Sequence, residues 1–250
     1  MPFFAIIKKE VYRFSSIWVQ TMVGPLSTAL LYQLIFAHQL ASVNTGIPGV
    51  DYATFLIPGL VIMQVLLNAF GNGSSSLIQS KYTGNIIFVL MAPVSPMSMY
   101  LAYLCASILR GVAVGLVVYL GIMWFGQIMV VHLWAVLYYA ILGAAITGGL
   151  GLIAGILCEK FDQLGGFQSF VMVPLIYLSG IFFNIQHFSP VWKTLAMLDP
   201  FLYIVDGFRY GFVGQANFGV IHGAGFVLCF ALAVNIVGIV LLKRGVKIKH

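Results

Sequence analysis

Charge is what this sequence has least of. Only 7% of its 250 residues are Asp, Glu, Lys or Arg, whereas soluble domains carry about a quarter. So low a share excludes an ordinary water-facing surface, and with 61% hydrophobic residues the chain reads as an all-α integral membrane protein. A bilayer core takes about 20 apolar residues per helix, which leaves room for roughly six spans and no separate soluble domain; residues 1–250 are expected to form one transmembrane unit. Acid is scarcer than base: 6 Asp and Glu stand against 12 Lys and Arg, for a net charge of +6. The basic residues sit at the ends of apolar segments rather than in a patch, which argues against a nucleic-acid partner and for orientation in a membrane.

Site chemistry is missing as well. Cys105, Cys158 and Cys229 lie far apart, in or beside apolar segments, without metal-ligand spacing; they read as small hydrophobes. The sequence holds no GxxxxGK[ST], HExxH or GxSxG pattern, so no catalytic residue, metal site or cofactor is expected in this chain. His38, His132, His187 and His222 fall at span boundaries, where lone histidines are ordinarily interfacial. Residues 1–15 carry Lys8, Lys9, Glu10 and Arg13 and no small-residue cleavage site, so no secretory leader is expected.

What is present is a series of apolar segments in a readable order. Residues 2–15 predict an amphipathic interfacial helix, with Phe3, Phe4, Ile7, Val11 and Phe14 on one side and Lys8, Lys9 and Arg13 on the other. Spans are expected at about 17–37, 54–77, 97–125, 133–157, 167–183 and 220–242. On the second, Gln64, Asn68, Asn72, Ser75 and Gln79 recur at steps of four or three along one helix face. Unpaired amides are costly in hydrocarbon, so this stripe faces other protein or water. It admits two readings: hydrogen bonds between helices, or a substrate path. Arg110, near the middle of the third span, is either a structural or gating ion pair or an arginine that reaches the interface. Gly111 and Gly115 beside it, and Gly143, Gly148, Gly149, Gly151 and Gly155 on the fourth span, mark close helix packing. Glu159, Lys160 and Asp162 predict a brief charged turn ending at Gly165 and Gly166.

Two stretches fit no span. Residues 78–96 carry Lys81, Gly84, Asn85, Pro93 and Pro96 around a short apolar run with Ile87, Phe88 and Leu90; proline and glycine forbid one continuous helix there. Residues 184–214 are too polar and proline-broken for a span, yet too aromatic for a free loop, which suits short re-entrant helices. Within them Asp206 and Arg209 are spaced to pair on one helix face. The positive-inside rule puts Lys8, Lys9, Arg13, Lys81, Lys160, Lys243, Arg244, Lys247 and Lys249 in the cytosol, and with them both termini and residues 78–96.

The run KYTGNIIFVLMAPVSP and the later SGIFFNIQHFSPVWKTLAMLDPFLYIVDGFRYG resemble the two ordered signatures of type-2 ABC exporter permeases, the membrane subunits for polysaccharide, lipid or drug export. The resemblance implies a homodimer (or a heterodimer with a similar chain) in a bacterial inner membrane, coupled to cytosolic ATPase subunits that bind ATP and Mg. It assigns 78–96 to ATPase coupling, 184–214 to a re-entrant outer gate, and the second and fifth spans to the path. The family's usual acidic residue after the glycine is absent; Ile87 and Phe88 stand there, so coupling is expected to rely on packing of Ile87, Phe88 and Leu90 or on Lys81 and Asn85. Without the resemblance, two other classes stay open: a secondary transporter or channel without ATPase, and a membrane scaffold.

Overall fold

The computed structural model describes residues 2–40, 45–85, 94–125, 128–187 and 189–246. These residues form helices and, among the described residues, no strand. Helix α1 (Pro2–Ser16) leads through a π turn (Val19–Val23) into α2 (Gly24–Gln39). Long helices follow: α3 (Tyr52–Tyr82), α4 (Pro96–Ile122, extended by a 3-10 turn to Phe125) and α5 (Leu133–Leu157). A broken helix comes next, made of α6 (Phe161–Phe167), a π turn (Gln168–Met172) and α7 (Val173–Leu178). Two short helices, α8 (Pro190–Met197) and α9 (Pro200–Val213), precede the last long one, α10 (Val220–Arg244).

Among the described residues five helical runs are long and apolar enough to cross a membrane: Val19–Gln39, Tyr52–Tyr82, Pro96–Phe125, Leu133–Leu157 and Val220–Arg244. The run expected as the fifth of six spans is helical from Phe161 to Leu178, but is not one of these five. Its first half carries Asp162, Gln163 and Gln168. The charged turn expected to end at Gly165 and Gly166 instead starts α6, which contains both glycines. Gln163 Oε1 accepts hydrogen bonds from the N–H groups of Glu159 (2.9 Å) and Lys160 (3.4 Å), satisfying donors that a helix start leaves free.

Helix α3 is the centre of the molecule. Of its most apolar 18 residues 83% are buried, against 17% for α2 and 28% for α10. It packs chiefly on α5 and α4, while α10 and α9 also pack on α5. Glycine makes this closeness possible. A Cβ on Gly111 of α4 would lie 2.8 Å from the Val65 carbonyl oxygen, and one on Gly73 2.5 Å from that of Gly148. A Cβ on Gly151 would run into the Phe70 carbonyl oxygen. The glycine-rich fourth span is therefore a packing seam against α3.

Helix ends follow local chemistry. Asp51 accepts from the Thr54 N–H to start α3, Ser95 from Ser98 N–H to start α4, and Asp199 from Phe201 N–H to start α9. Pro96 and Pro200 occupy the first turns of their helices, where a missing N–H costs nothing. Pro25 and Pro174 each follow a π turn within an otherwise helical run. The wider turn makes room for a ring that would clash with the carbonyl four residues back.

Candidate functional site

The polar stripe of α3 meets α1. Helix α1 turns Ile6, Glu10 and Phe14 inward, and Glu10 is only 1% exposed. This corrects the expected face: Phe4 is 65% exposed and Arg13 lies on the protein side. The reason is polar. Arg13 Nη2 pairs with Glu10 Oε2 at 3.0 Å and donates to Asn72 Oδ1 at 3.0 Å, while Nη1 donates to Ser75 Oγ at 3.1 Å and Gln79 Oε1 at 3.3 Å. Ser76 Oγ accepts from Arg13 and donates to Glu10. Asn72 Nδ2 donates onward to Ser107 Oγ of α4 at 3.3 Å. The lower stripe thus joins three helices.

Its upper part is buried. Gln64 and Asn68 lie inside the protein, with Asn68 Nδ2 donating to the Gln64 carbonyl at 3.0 Å. The open edge of α3 is a neighbouring line, Leu67, Gly71, Ser75 and Gln79, and of the four residues expected along the path only Ser75 lies on it.

Lys81, at the foot of α3, donates from Nζ to the carbonyls of Ile156 and Cys158 (3.3 Å to the latter). These oxygens belong to the end of α5, where a cation meets the negative pole of the helix. Gly84 then turns the chain out of α3 with φ +72°. Asn85, Thr83, Ser80, Glu10 and Arg13 line a polar cavity of about 110 Å³ between α1 and this foot. The other residues expected to couple to an ATPase (Ile87, Phe88, Leu90 and Pro93) lie outside the described residues.

At the opposite end the second signature closes on itself. Arg209 is buried; its Nη2 donates to the carbonyls of Gly180 (2.9 Å) and Ile181 (3.3 Å), and its guanidinium lies 3.8 Å from the centre of the Phe55 ring. Tyr52 Oη donates to the Phe182 carbonyl at 2.8 Å. The SGIFF turn is therefore held by the GFR of α9 and the start of α3. Asp206 does not pair with Arg209. Among the described residues no ion pair joins them, because Asp206 accepts from Asn217 N–H, Asn217 Nδ2 and Phe218 N–H at 2.9–3.1 Å, anchoring the segment before α10. Asp199 is buried beside its cap. Burial pushes its carboxyl up to about 7, offset in part by the hydrogen bond from Phe201 N–H.

Arg110 also lacks the expected ion pair. Its Nε is buried without a hydrogen-bond partner, and among the described residues no carboxylate pairs with it. The Glu10–Arg13–Ser76 cluster is what sequence reasoning missed. Its signal was visible: Glu10 stands four residues from both Ile6 and Phe14, so an acid on the buried face needs a cation, and Arg13 is one turn on. No group of His, Cys, Asp and Glu able to hold a metal occurs among the described residues.

Comparison with known proteins agrees with these features. The chain is 34% identical over 242 residues to the inner membrane transport permease YadH of Escherichia coli (strain K12), covering 96% of this chain and 94% of YadH. It is 22% identical over 258 residues to nodulation protein J of Rhizobium leguminosarum bv. viciae, covering 96% and 93%. A shorter match, 30% over 104 residues, links 40% of this chain with 38% of the capsule polysaccharide export inner-membrane protein BexB of Haemophilus influenzae. The sequence model for the ABC-2 type transporter family matches residues 1–213, from α1 through the GFR of α9. With five long apolar helices among its described residues, the chain belongs to the ABC-2 type transporter family, as a membrane permease.

Proposed function

We propose that this chain is the transmembrane subunit of an ATP-driven exporter, forming the path with a second copy of itself and driven by a separate cytosolic ATPase that binds ATP and Mg. One observation carries the reading. The elements around residues 78–96 are tied together: Arg13 fastens α1 to the foot of α3, and Lys81 fastens that foot to the end of α5. A displacement of the segment between α3 and α4 is passed to three elements as one body, including the most buried helix of the molecule. The arrangement suits a protein worked from one end.

Orientation follows the charge. Lys8, Lys9, Arg13, Lys81, Lys160, Lys243 and Arg244 gather at the α1 end, while Lys193 and Arg209 belong to the other; the α1 end is therefore read as cytosolic, in a bacterial inner membrane. The path is proposed to run along the open edge of α3 at Ser75, beside Gln64, Asn68 and Asn72, and to close outward at α8 and α9 as the re-entrant gate. Ile87, Phe88 and Leu90 are proposed to dock the ATPase through packing, with Asn85 at their edge. Changing Ile87 and Phe88 together to Asp places charge in that contact; the ATPase is expected to be lost from the purified complex while the permease remains in the membrane. Undiminished co-purification would exclude this segment as the docking surface.

A further inference from the structure

Two cavities meet at Phe212, at the end of the molecule away from α1. The first, of about 670 Å³, opens beside the start of α3; Asp51, Thr54, Trp124, Phe125, Phe212 and Val213 are among its walls. Its charge is of one sign. Phe212 and Val213 end α9, and Trp124 and Phe125 end the turn that extends α4; the carbonyl ends of helices carry partial negative charge. Asp51 adds a carboxylate, which also offsets the positive pole of the helix it caps. None of the residues lining this cavity is basic. Thr54 Oγ1, in the same wall, is buried without a hydrogen-bond partner among the described residues. Trp124 is 84% exposed, so little of its ring is used in packing within the chain. An organic ammonium group is attracted both by aromatic faces and by a carboxylate.

The second cavity, of about 190 Å³, lies among α3, α4, α5 and α9, with Val61, Val65, Leu116, Tyr119, Leu137 and again Phe212 in its walls. Of the residues that line it, only Tyr119 has a polar side-chain atom. It sits deeper in the span. Val61 comes seven residues after Thr54 on α3, about 10 Å of helix rise, and on the α4 run Tyr119 likewise lies inward of Trp124. An interfacial tryptophan needs only the end of a span; the carboxylate beside it and the apolar slot below it are what mark a site. A free cation would leave the slot empty, and a plain hydrocarbon would leave the carboxylate unanswered.

We propose that the two cavities form one docking site for a membrane amphiphile with an ammonium headgroup, in the leaflet opposite α1. The head lies between Asp51 and Trp124, and the chain passes Phe212 into the apolar slot. Binding needs no ATPase, so this proposal and the transport reading fail separately.

The test uses the full chain in dodecyl maltoside micelles, without nucleotide, and two hexadecyl probes that carry a photoreactive diazirine at mid-chain. One probe has a trimethylammonium head and the other a neutral glyceryl head. Labelled peptides are mapped by mass spectrometry, and labelling at residues 112–119 and 133–140 is divided by that of the lipid-facing α10. Wild type is expected to favour the ammonium probe there by about fivefold. Asp51→Asn, which keeps the cap on Thr54 N–H, is expected to abolish the preference, and Trp124→Leu to reduce it. Equal labelling of wild type by both probes would overturn the proposal, and that arm needs no variant to fold. A preference unchanged in Asp51→Asn would overturn it too. Hexadecyltrimethylammonium is expected to protect these residues where tetramethylammonium at the same concentration does not; equal protection by both would assign the site to a free ammonium ion and overturn the amphiphile.

Discussion

At the scale of single residues, the account rests on polar groups inside an apolar protein. Arg13 and Glu10 are a buried pair, and a pair broken on one side costs about 3–5 kcal/mol, whereas removing both charges is often near neutral. Arg13→Met should therefore lower the thermal midpoint of the detergent-solubilised protein sharply, and Glu10→Gln combined with Arg13→Met should recover most of the loss. Additive losses would mean that the two charges do not depend on each other. Asp199 gives a prediction in pH. Its folded carboxyl, up to about 7, lies above the ordinary range near 4, so the native state holds the proton more tightly than the unfolded chain. Its contribution is complete at low pH and is lost as pH rises through about 7. Asp199→Asn keeps the cap on Phe201 and should flatten the fall in melting temperature between these values; an unchanged slope would place its origin elsewhere. The charges were legible in the sequence as positions but not as partners. Asp206 and Arg209 were spaced to pair, and backbone groups from distant turns reached each of them first. Arg110 reads as deep because its span is long, and it stands midway along the helical run Pro96–Phe125.

At the scale of elements, periodicity and breakers carried most of the information. Residues 133–157 and the start of the last helix at Val220 were read where the structure has them, since long apolar runs bounded by polar residues leave little choice. The second span runs further at both ends than its apolar part, because Asp51 caps it early and Gly84 turns it late. The broken helix from Phe161 to Leu178 was less legible: Asp162, Gln163 and the paired glycines look like a loop until Gln163 closes the first turn. The glycines of α5 were readable as a packing seam, but not their partner. Gly151→Val should push α3 and α5 apart at Phe70 and cost about 1–3 kcal/mol by overpacking. A wild-type melting temperature would show that this seam is looser than its geometry. Lys81→Met, by removing a cation from the carbonyl end of α5, should cost about 1 kcal/mol and loosen the foot of α3, read as faster hydrogen exchange at residues 154–158; unchanged exchange there would deny Lys81 its clamping part.

At the scale of the whole molecule, the exposed surfaces are those of an apolar helical chain. Helices α2 and α10 leave most of their apolar residues uncovered, as lipid-facing helices do, and the open edge of α3 runs past Gly71, where a Cβ would meet no atom within 4 Å. Membership in the ABC-2 family was readable from two ordered signatures, and the structure adds why the second holds together: its SGIFF and GFR pieces grip each other through Arg209. The cargo has no such signature, for the proposed path of amides and hydroxyls would suit many polar groups alike. The central claim, a permease driven by a separate ATPase, is tested most directly by affinity purification of this chain expressed with its neighbouring genes, followed by an assay of ATP hydrolysis. A stoichiometric cytosolic ATPase, active in the complex, is the predicted result; a pure oligomer of this chain that binds no ATPase would contradict it.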